Sequence, residues 1–360
     1  MCRINGNEWR LLSMDVLSTT GKRRETYQVE IKYSTLWECA LGIAAVTNTP
    51  LLDSLEKPIS FWKETRGSLP VDLREHLNYV EENNTWKALL QLLHQEDFQT
   101  LAAFITYIEE LSSTELKFNC IPFVGYAHQT TRKAAALGRE EAIKKMKALT
   151  SDNPFFPDYI AFVCNVDVHQ LKHHLITIMS GWYENVIKPS LDQFNNMLQA
   201  DVEAKMHMKG KMNPEEFVEW ATAGVSYSPE PSVHKVLLIP HYIYRPWNIV
   251  ADMEGTKVFY YPISNESISP QDKYLPSNFL VLKHKALGDE VRLRIVKLLS
   301  ESDRTLQEIT EKLSVGKSTI HHHLKILRSA QLVEITDAVY VLKKNSIESL
   351  AKEIDLYLQQ

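Results

Sequence analysis

The side chains best suited to chemistry crowd into one short segment near the C-terminus. Between Gly316 and Arg328 there is no acidic residue. At the helical period one face carries Ser318, His321, His322 and Lys325, with Lys317 and Arg328 at its flanks and Thr319 in the first turn. Lysine and arginine heads neutralise phosphates, so Lys317, Lys325 and Arg328 are expected to set register on a nucleic-acid backbone. The short side chains of Ser318, Thr319, His321 and His322 suit the reading of base edges in a major groove. A helix start here also offers free backbone amides to phosphate. The competing reading of this face is a solvated polar surface with no partner. Ile320, Leu324 and Leu327 form the opposite, apolar side, and His323 lies close enough to them to be expected as a packed histidine.

Such a face works only if other elements hold it out. Thr305 and Glu308 have the spacing of a capping box and predict a helix start, with Ile309 and Leu313 on its inner side. Ser314 to Gly316 interrupt the pattern, giving a helix, a tight turn and a second helix. Upstream, Asp289 is placed to cap a helix from Glu290 to Leu299 that turns Val291, Ile295, Leu298 and Leu299 inward, and is expected to pair with Arg292. Downstream, Val339 to Leu342 read as a strand, and Ile347, Leu350, Ala351, Ile354 and Leu358 form an apolar stripe on a last helix.

In this order, from Lys285 to Leu342, the motifs resemble the winged helix-turn-helix of ArsR-type bacterial transcriptional regulators, which gives the segment its expected fold. The resemblance implies an operator in double-stranded DNA. It also implies a homodimer in which the first and last helices of the domain pair with a second subunit, making the Ile347–Leu358 stripe a dimerisation candidate against simple packing on the chain's own N-terminal domain. Two recognition helices one DNA turn apart would read a palindrome. The His-His pair of the family matches His322 and His323, while His321 stands where a serine is common. Metal ligands found in some family members are missing: residues 305–309 hold no cysteine and residues 346–360 no histidine. The wing also departs from the family, with a very short turn near Thr336 and Asp337, an acidic character and no arginine to enter a minor groove.

At 360 residues with 44 % hydrophobic content, the chain is long enough for two or more domains with real cores. Residues 1–278 carry 27 basic and 34 acidic side chains, residues 279–360 carry 13 and 11, so only the tail leans basic. Cys2, Cys39, Cys120 and Cys164 lie far apart, arguing against a disulfide framework or zinc ribbon and for a reducing compartment. His169 and His173, one helical turn apart near Asp167 and Cys164, have a spacing that could hold zinc but is more often plain surface. No metal and no cofactor is expected. No apolar run is long enough to span a bilayer, so the chain is expected to be soluble and cytoplasmic, without membrane contact.

Residues 1–24 read as a loose extension, and translation could start at Met1 or Met14. Residues 25–263 read as a largely helical domain with a small β element, residues 264–278 as a linker rich in Ser, Asn and Pro, and residues 279–360 as the winged domain. The fold class is therefore mainly α. A strand from Tyr27 to Tyr33 precedes a helix, Leu36 to Val46, whose start is marked by Ser34 and by Thr35 three residues before Glu38. Further helices are expected at Leu73–Val80, Trp86–Leu93, Phe98–Leu111, Arg139–Leu149, after Pro154, at Val168–Lys188, Pro189–Met208 and Pro214–Trp220. Val236–Ile239, Trp247–Ala251 and Lys257–Tyr261 alternate as strands, the last two forming a hairpin across Gly255, with the Tyr27 strand free to pair with them. No Gly-rich phosphate loop, nucleophile elbow or His-Glu-x-x-His occurs, so no catalytic residues are assigned. Trp182, Tyr183, Tyr242, Tyr244 and Trp247 could line an effector pocket with Arg245 as anion anchor, or could be plain core.

These readings predict a homodimeric, sequence-specific DNA-binding transcriptional regulator whose N-terminal domain senses a small-molecule effector. Two rivals stay open. One is a protein-interaction scaffold whose winged domain no longer binds DNA. The other, weaker, is an enzyme with a regulatory tail.

Overall fold

The N-terminal domain is assembled around the helix Thr35–Val46, every residue of which is buried. Its sequence is apolar on all sides, and a helix without a polar face has nowhere to sit but a core. The computed structural model describes residues 26–272, 274–336 and 338–359. The extension 1–24, the alternative start at Met14, Cys2 and the wing residue Asp337 lie outside the described residues.

Ser34 caps this first helix by accepting a hydrogen bond from the Leu36 amide at 3.2 Å. Glu38 is not a capping partner of Thr35. It points inward and accepts from the amides of Tyr242 and Ile243, tying the helix to the chain 204 residues on. Burial pushes its carboxyl up to about 7, although both amides pull the other way.

Trp86–Leu93 and Val168–Trp182 pack directly on this helix, and Val71–Asn83, Leu101–Glu110, Glu140–Leu149 and Phe156–Asn165 share its core, all close to the periodic segments of the sequence. Ile59–Ser68, Ser113–Cys120 and Gln129–Ala136 are further helices that the periodicity did not announce. Val168–Trp182 stops short of Lys188: the chain passes through a wide turn, Tyr183–Ile187, and a tight one, Lys188–Ser190, before Leu191–Lys209 begins. Pro189 explains the break, since it lacks an amide hydrogen and crowds the residue before it out of the helical region.

Four strands complete the domain: β1 (Gln28–Ile31), β2 (Lys235–His241), β3 (Ile249–Met253) and β4 (Thr256–Pro262), in the order β1-β2-β4-β3. β1 runs parallel to β2 and β2 to β4, while β3 and β4 form the expected antiparallel hairpin with Met253 opposite Thr256. The first and last parts of the domain thus meet in one sheet. Successive β2 residues go to opposite faces. Leu237 and Ile239 join the large helical core, and Val236 and Leu238 pack with Phe217 and Val218 of the helix Pro214–Ala221.

The stretch 264–278 begins with a helical turn, Asn265–Ile268, fastened to the N-terminal domain. The Ser264 amide and Ser267 hydroxyl donate to the fully buried Asp201, which also receives Tyr261 Oη and Lys205 Nζ. Two of the polar residues in the stretch expected as a linker thus satisfy a buried carboxylate. Beyond it, Asn278–Leu287, Glu290–Glu301, Leu306–Leu313 and Lys317–Ser329 enclose a separate core with β5 (Arg304–Thr305), β6 (Val333–Thr336) and β7 (Val339–Leu342), in the sheet order β5-β7-β6. A short helix, Lys344–Glu348, and the last helix, Leu350–Leu358, follow.

Candidate nucleic-acid interface

The helix Lys317–Ser329 is positioned by three separate fastenings. Its apolar side buries Ile320, Leu324 and Leu327 completely against Ile295, Leu299, Ile309 and Tyr340. The preceding helix starts with the anticipated capping box: Thr305 Oγ1 accepts from the Glu308 amide at 3.3 Å and Glu308 accepts from the Thr305 amide at 2.7 Å. That helix ends at Ser314, whose φ of 54° is the left-handed turn that swings the chain into the next helix. The two-stranded wing, with Thr336 opposite Val339, closes the far side.

Asp289 caps the helix Glu290–Glu301 through the Arg292 amide at 3.0 Å, and the Arg292 guanidinium lies 3.7 Å from its carboxylate. Arg292 also donates to the carbonyls of Ala286 and Lys285, so it braces the end of the preceding helix. His323, half-buried and 3.7 Å from Asp289, packs as expected, and burial holds its imidazole below its ordinary range.

Lys317, Ser318, Thr319, His321 and His322 are exposed together on the first two turns of the helix, next to free amides at Gly316. Lys325 and Arg328, one and two turns on, are half-buried. Lys325 is covered by a part of the chain far from it in sequence: its Nζ lies 3.1 Å from Asp53 Oδ1, on the tight turn Thr49–Ser54 of the N-terminal domain. No local pattern flags Asp53, because the two residues are 272 positions apart. Of the expected last-helix stripe, Ile347 falls on the short helix Lys344–Glu348 and packs on the winged core, Leu350 and Ile354 are half-buried, and Ala351 and Leu358 are exposed.

The aromatic set is drawn into or onto the core of the N-terminal domain. Trp182 is core, so close to the first helix that a Cβ at Gly42 would stand 2.7 Å from its Nε1. Tyr244 is buried and Tyr183 and Tyr242 are half-buried, with Lys57 Nζ 4.8 Å above the Tyr242 ring. Arg245, also buried, is paired with Glu56 at 2.9 Å and donates to Asn265 Oδ1, so its charge is already matched. Trp247 donates to Ser54 Oγ at 3.1 Å and lines a cleft between the two domains. A larger cavity of about 660 Å³ lies at another part of the domain boundary, walled by Trp220, Ile263, Phe279, Leu280, Lys283 and Tyr357. Nothing in the alternation of these residues would have singled them out.

His173 does not team with His169. It faces His76, with ring centroids 5.9 Å apart, while His169 sits in the first turn that Asp167 caps and Cys164 is buried. Among the described residues no three His, Cys, Asp or Glu side chains are gathered as a metal site would need. Among the same residues no helix is long and apolar enough to cross a membrane.

Four helices, a tight turn and a three-stranded sheet whose β6–β7 hairpin is the wing, around one apolar core, define a winged helix-turn-helix domain. Residues 289–334 match the model of the bacterial regulatory protein arsR family. The chain is 39 % identical over 49 residues to the transcriptional repressor SdpR of Bacillus subtilis, covering 14 % of this chain and 54 % of that one. It is 30 % identical over 79 residues to a transcriptional repressor SmtB homolog of Synechocystis, covering 21 % and 60 %. It is 36 % identical over 76 residues to an uncharacterized HTH-type transcriptional regulator of Methanocaldococcus jannaschii, covering 20 % and 85 %. Through its C-terminal domain the chain belongs to the arsR family. It spans little more than half the length of the first two of these relatives. No solved structure matches the chain with significance.

Proposed function

We propose that the protein is a sequence-specific, non-enzymatic DNA-binding transcriptional regulator, cytoplasmic, that acts as a homodimer on a palindromic operator. The observation that carries this is the exposed, acid-free start of the Lys317–Ser329 helix, where Lys317, Ser318, Thr319, His321 and His322 stand together beside free helix amides. The N-terminal charge of a helix and a basic flank attract phosphate, and short side chains leave the helix close enough to reach base edges. Homodimerisation is supported by the part of the stripe on the last helix, with Ala351 and Leu358 exposed and Leu350 and Ile354 half-buried. Effector sensing is supported by the boundary cavity, since a ligand there would touch both domains at once.

The test is a titration of the full chain against fragments upstream of its own gene, at several stated salt concentrations. Replacing Lys317, Lys325 and Arg328 by alanine should weaken binding across all sequences and flatten the plot of log affinity against log salt by about 1 per phosphate contact removed. Replacing His321 or His322 should instead relax sequence preference. If the triple variant binds as the parent does, the reading fails. A winged domain turned to protein binding, the alternative that the exposed Glu334 on β6 favours, would show no shift of any genomic duplex.

A further inference from the structure

We infer that the N-terminal domain clasps the recognition helix, and that in this closed arrangement the protein cannot seat that helix in a major groove. The inference rests on the DNA-binding reading above. Lys325 Nζ is held 3.1 Å from Asp53 Oδ1 and 3.5 Å from the Pro50 carbonyl. The contact is more than one ion pair, because Asp53, Ser54 and Trp247 on one side and His322, Lys325, Ile326 and Ser329 on the other line a common cleft.

The clasping turn is braced from behind. Ser54 Oγ donates to the Leu51 carbonyl at 2.7 Å and accepts from Trp247 Nε1 at 3.1 Å. The Glu56 amide donates to the Arg245 carbonyl at 2.8 Å, and the Glu56 carboxylate pairs with the buried Arg245 guanidinium. Thr49–Ser54 therefore presents Asp53 from a fixed support rather than from a loose loop.

Space makes the clasp and DNA mutually exclusive. An α-helix with its side chains is about 10–12 Å across, and the major groove is about 12 Å wide. A helix seated there fills the groove, and no room remains for a protein turn at hydrogen-bond distance from its outward face. Asp53 moreover supplies to Lys325 the negative charge that a phosphate would supply. The exposed first turns of the helix stay available for a first encounter, whereas full docking requires the two domains to part. The N-terminal domain thus gains a direct means of regulating the DNA-binding domain: whatever stabilises the parted state raises affinity.

The experiment compares full-length D53N with D97N. Both remove one negative charge from the exposed surface of the N-terminal domain, but Asp97 pairs with Lys32, not with the recognition helix. D53N should bind the promoter fragment roughly two- to fivefold more tightly than the parent, the range expected for losing a surface ion pair. D97N should stay at the parent's affinity. Equal behaviour of the two variants, or weaker binding by D53N, overturns the clasp. A second readout needs no DNA: with Cys2 replaced by serine, the rate at which a maleimide labels S329C should rise when D53N is added. An unchanged rate also overturns the clasp. A raised rate in a protein that shifts no duplex leaves the domain contact standing and sinks the DNA-binding reading instead.

Discussion

Of three histidines of the N-terminal domain, His174 and His241 are buried and His94 is half-buried, and desolvation pulls each imidazole down to about 3. His174 is held by Thr85 Oγ1 at 2.7 Å and by His76 Nδ1 at 2.8 Å, a pair that can share only one proton between the facing nitrogens. In the unfolded chain these groups titrate near about 6.5. The stability gained from keeping them neutral is complete above that value and is lost as pH falls toward 3. Glu38 works in the opposite sense, because its raised carboxyl favours the neutral form and its contribution fades as pH rises through about 7. Three groups against one, the melting temperature should fall as pH drops from about 6.5 to 4.5. H174N should flatten that decline, and a parent protein whose melting temperature is constant over the range would show that these imidazoles are not buried neutral. The sequence showed the thirteen histidines but not these environments, since burial depends on which helices meet.

At the scale of elements, close packing of the helix Val168–Trp182 on the first helix and on Val71–Asn83 depends on glycine. A Cβ at Gly42 would lie 2.7 Å from Trp182 Nε1, and one at Gly181 would lie 2.5 Å from Leu73 Cδ1. Neither neighbour is a surface side chain with room to withdraw, as Trp182 and Leu73 are both buried. G42A should therefore destabilise the protein by about 1–3 kcal/mol, the usual cost of overpacking a core, whereas G67A, with no atom near its added methyl, should not. Chemical denaturation of the two variants checks this, and equal midpoints would contradict the packing. Helices with a strong period were legible in advance: Trp86–Leu93, which has no side-chain cap, and the capping-box helix Leu306–Leu313 lie where their patterns place them. Ser113–Cys120 was not, because it carries little periodic signal, although Ser112 and Glu115 form a capping box at its start; Gln129–Ala136 buries only Arg132, Ala135 and Ala136.

On the scale of the whole molecule, two domains with separate cores meet along a boundary where Gly224 of one lies beside Gln331, Lys343 and Ser346 of the other. The accessible last-helix stripe lies on the winged domain, where a second copy could reach it. I354D combined with L358D should convert a dimer to monomers in sedimentation and cost much of the affinity for a palindromic site, since each half-site then binds alone. Unchanged sedimentation would place any dimer contact elsewhere.

By itself the sequence determined the winged domain and the residues that face outward from its recognition helix. Their caps, turn residues and apolar periods are local and fall within a few turns of chain, where short-range geometry decides the structure. The strand pattern of the N-terminal domain was legible for the same reason. Only the tertiary structure decided what those outward residues meet. Asp53 reaches Lys325, Glu38 reaches the amides at Tyr242 and Ile243, and Asp201 gathers Tyr261, Ser264 and Ser267. Contacts between residues so distant in sequence follow from how whole helices and sheets pack, and no pattern along the chain encodes them one residue at a time.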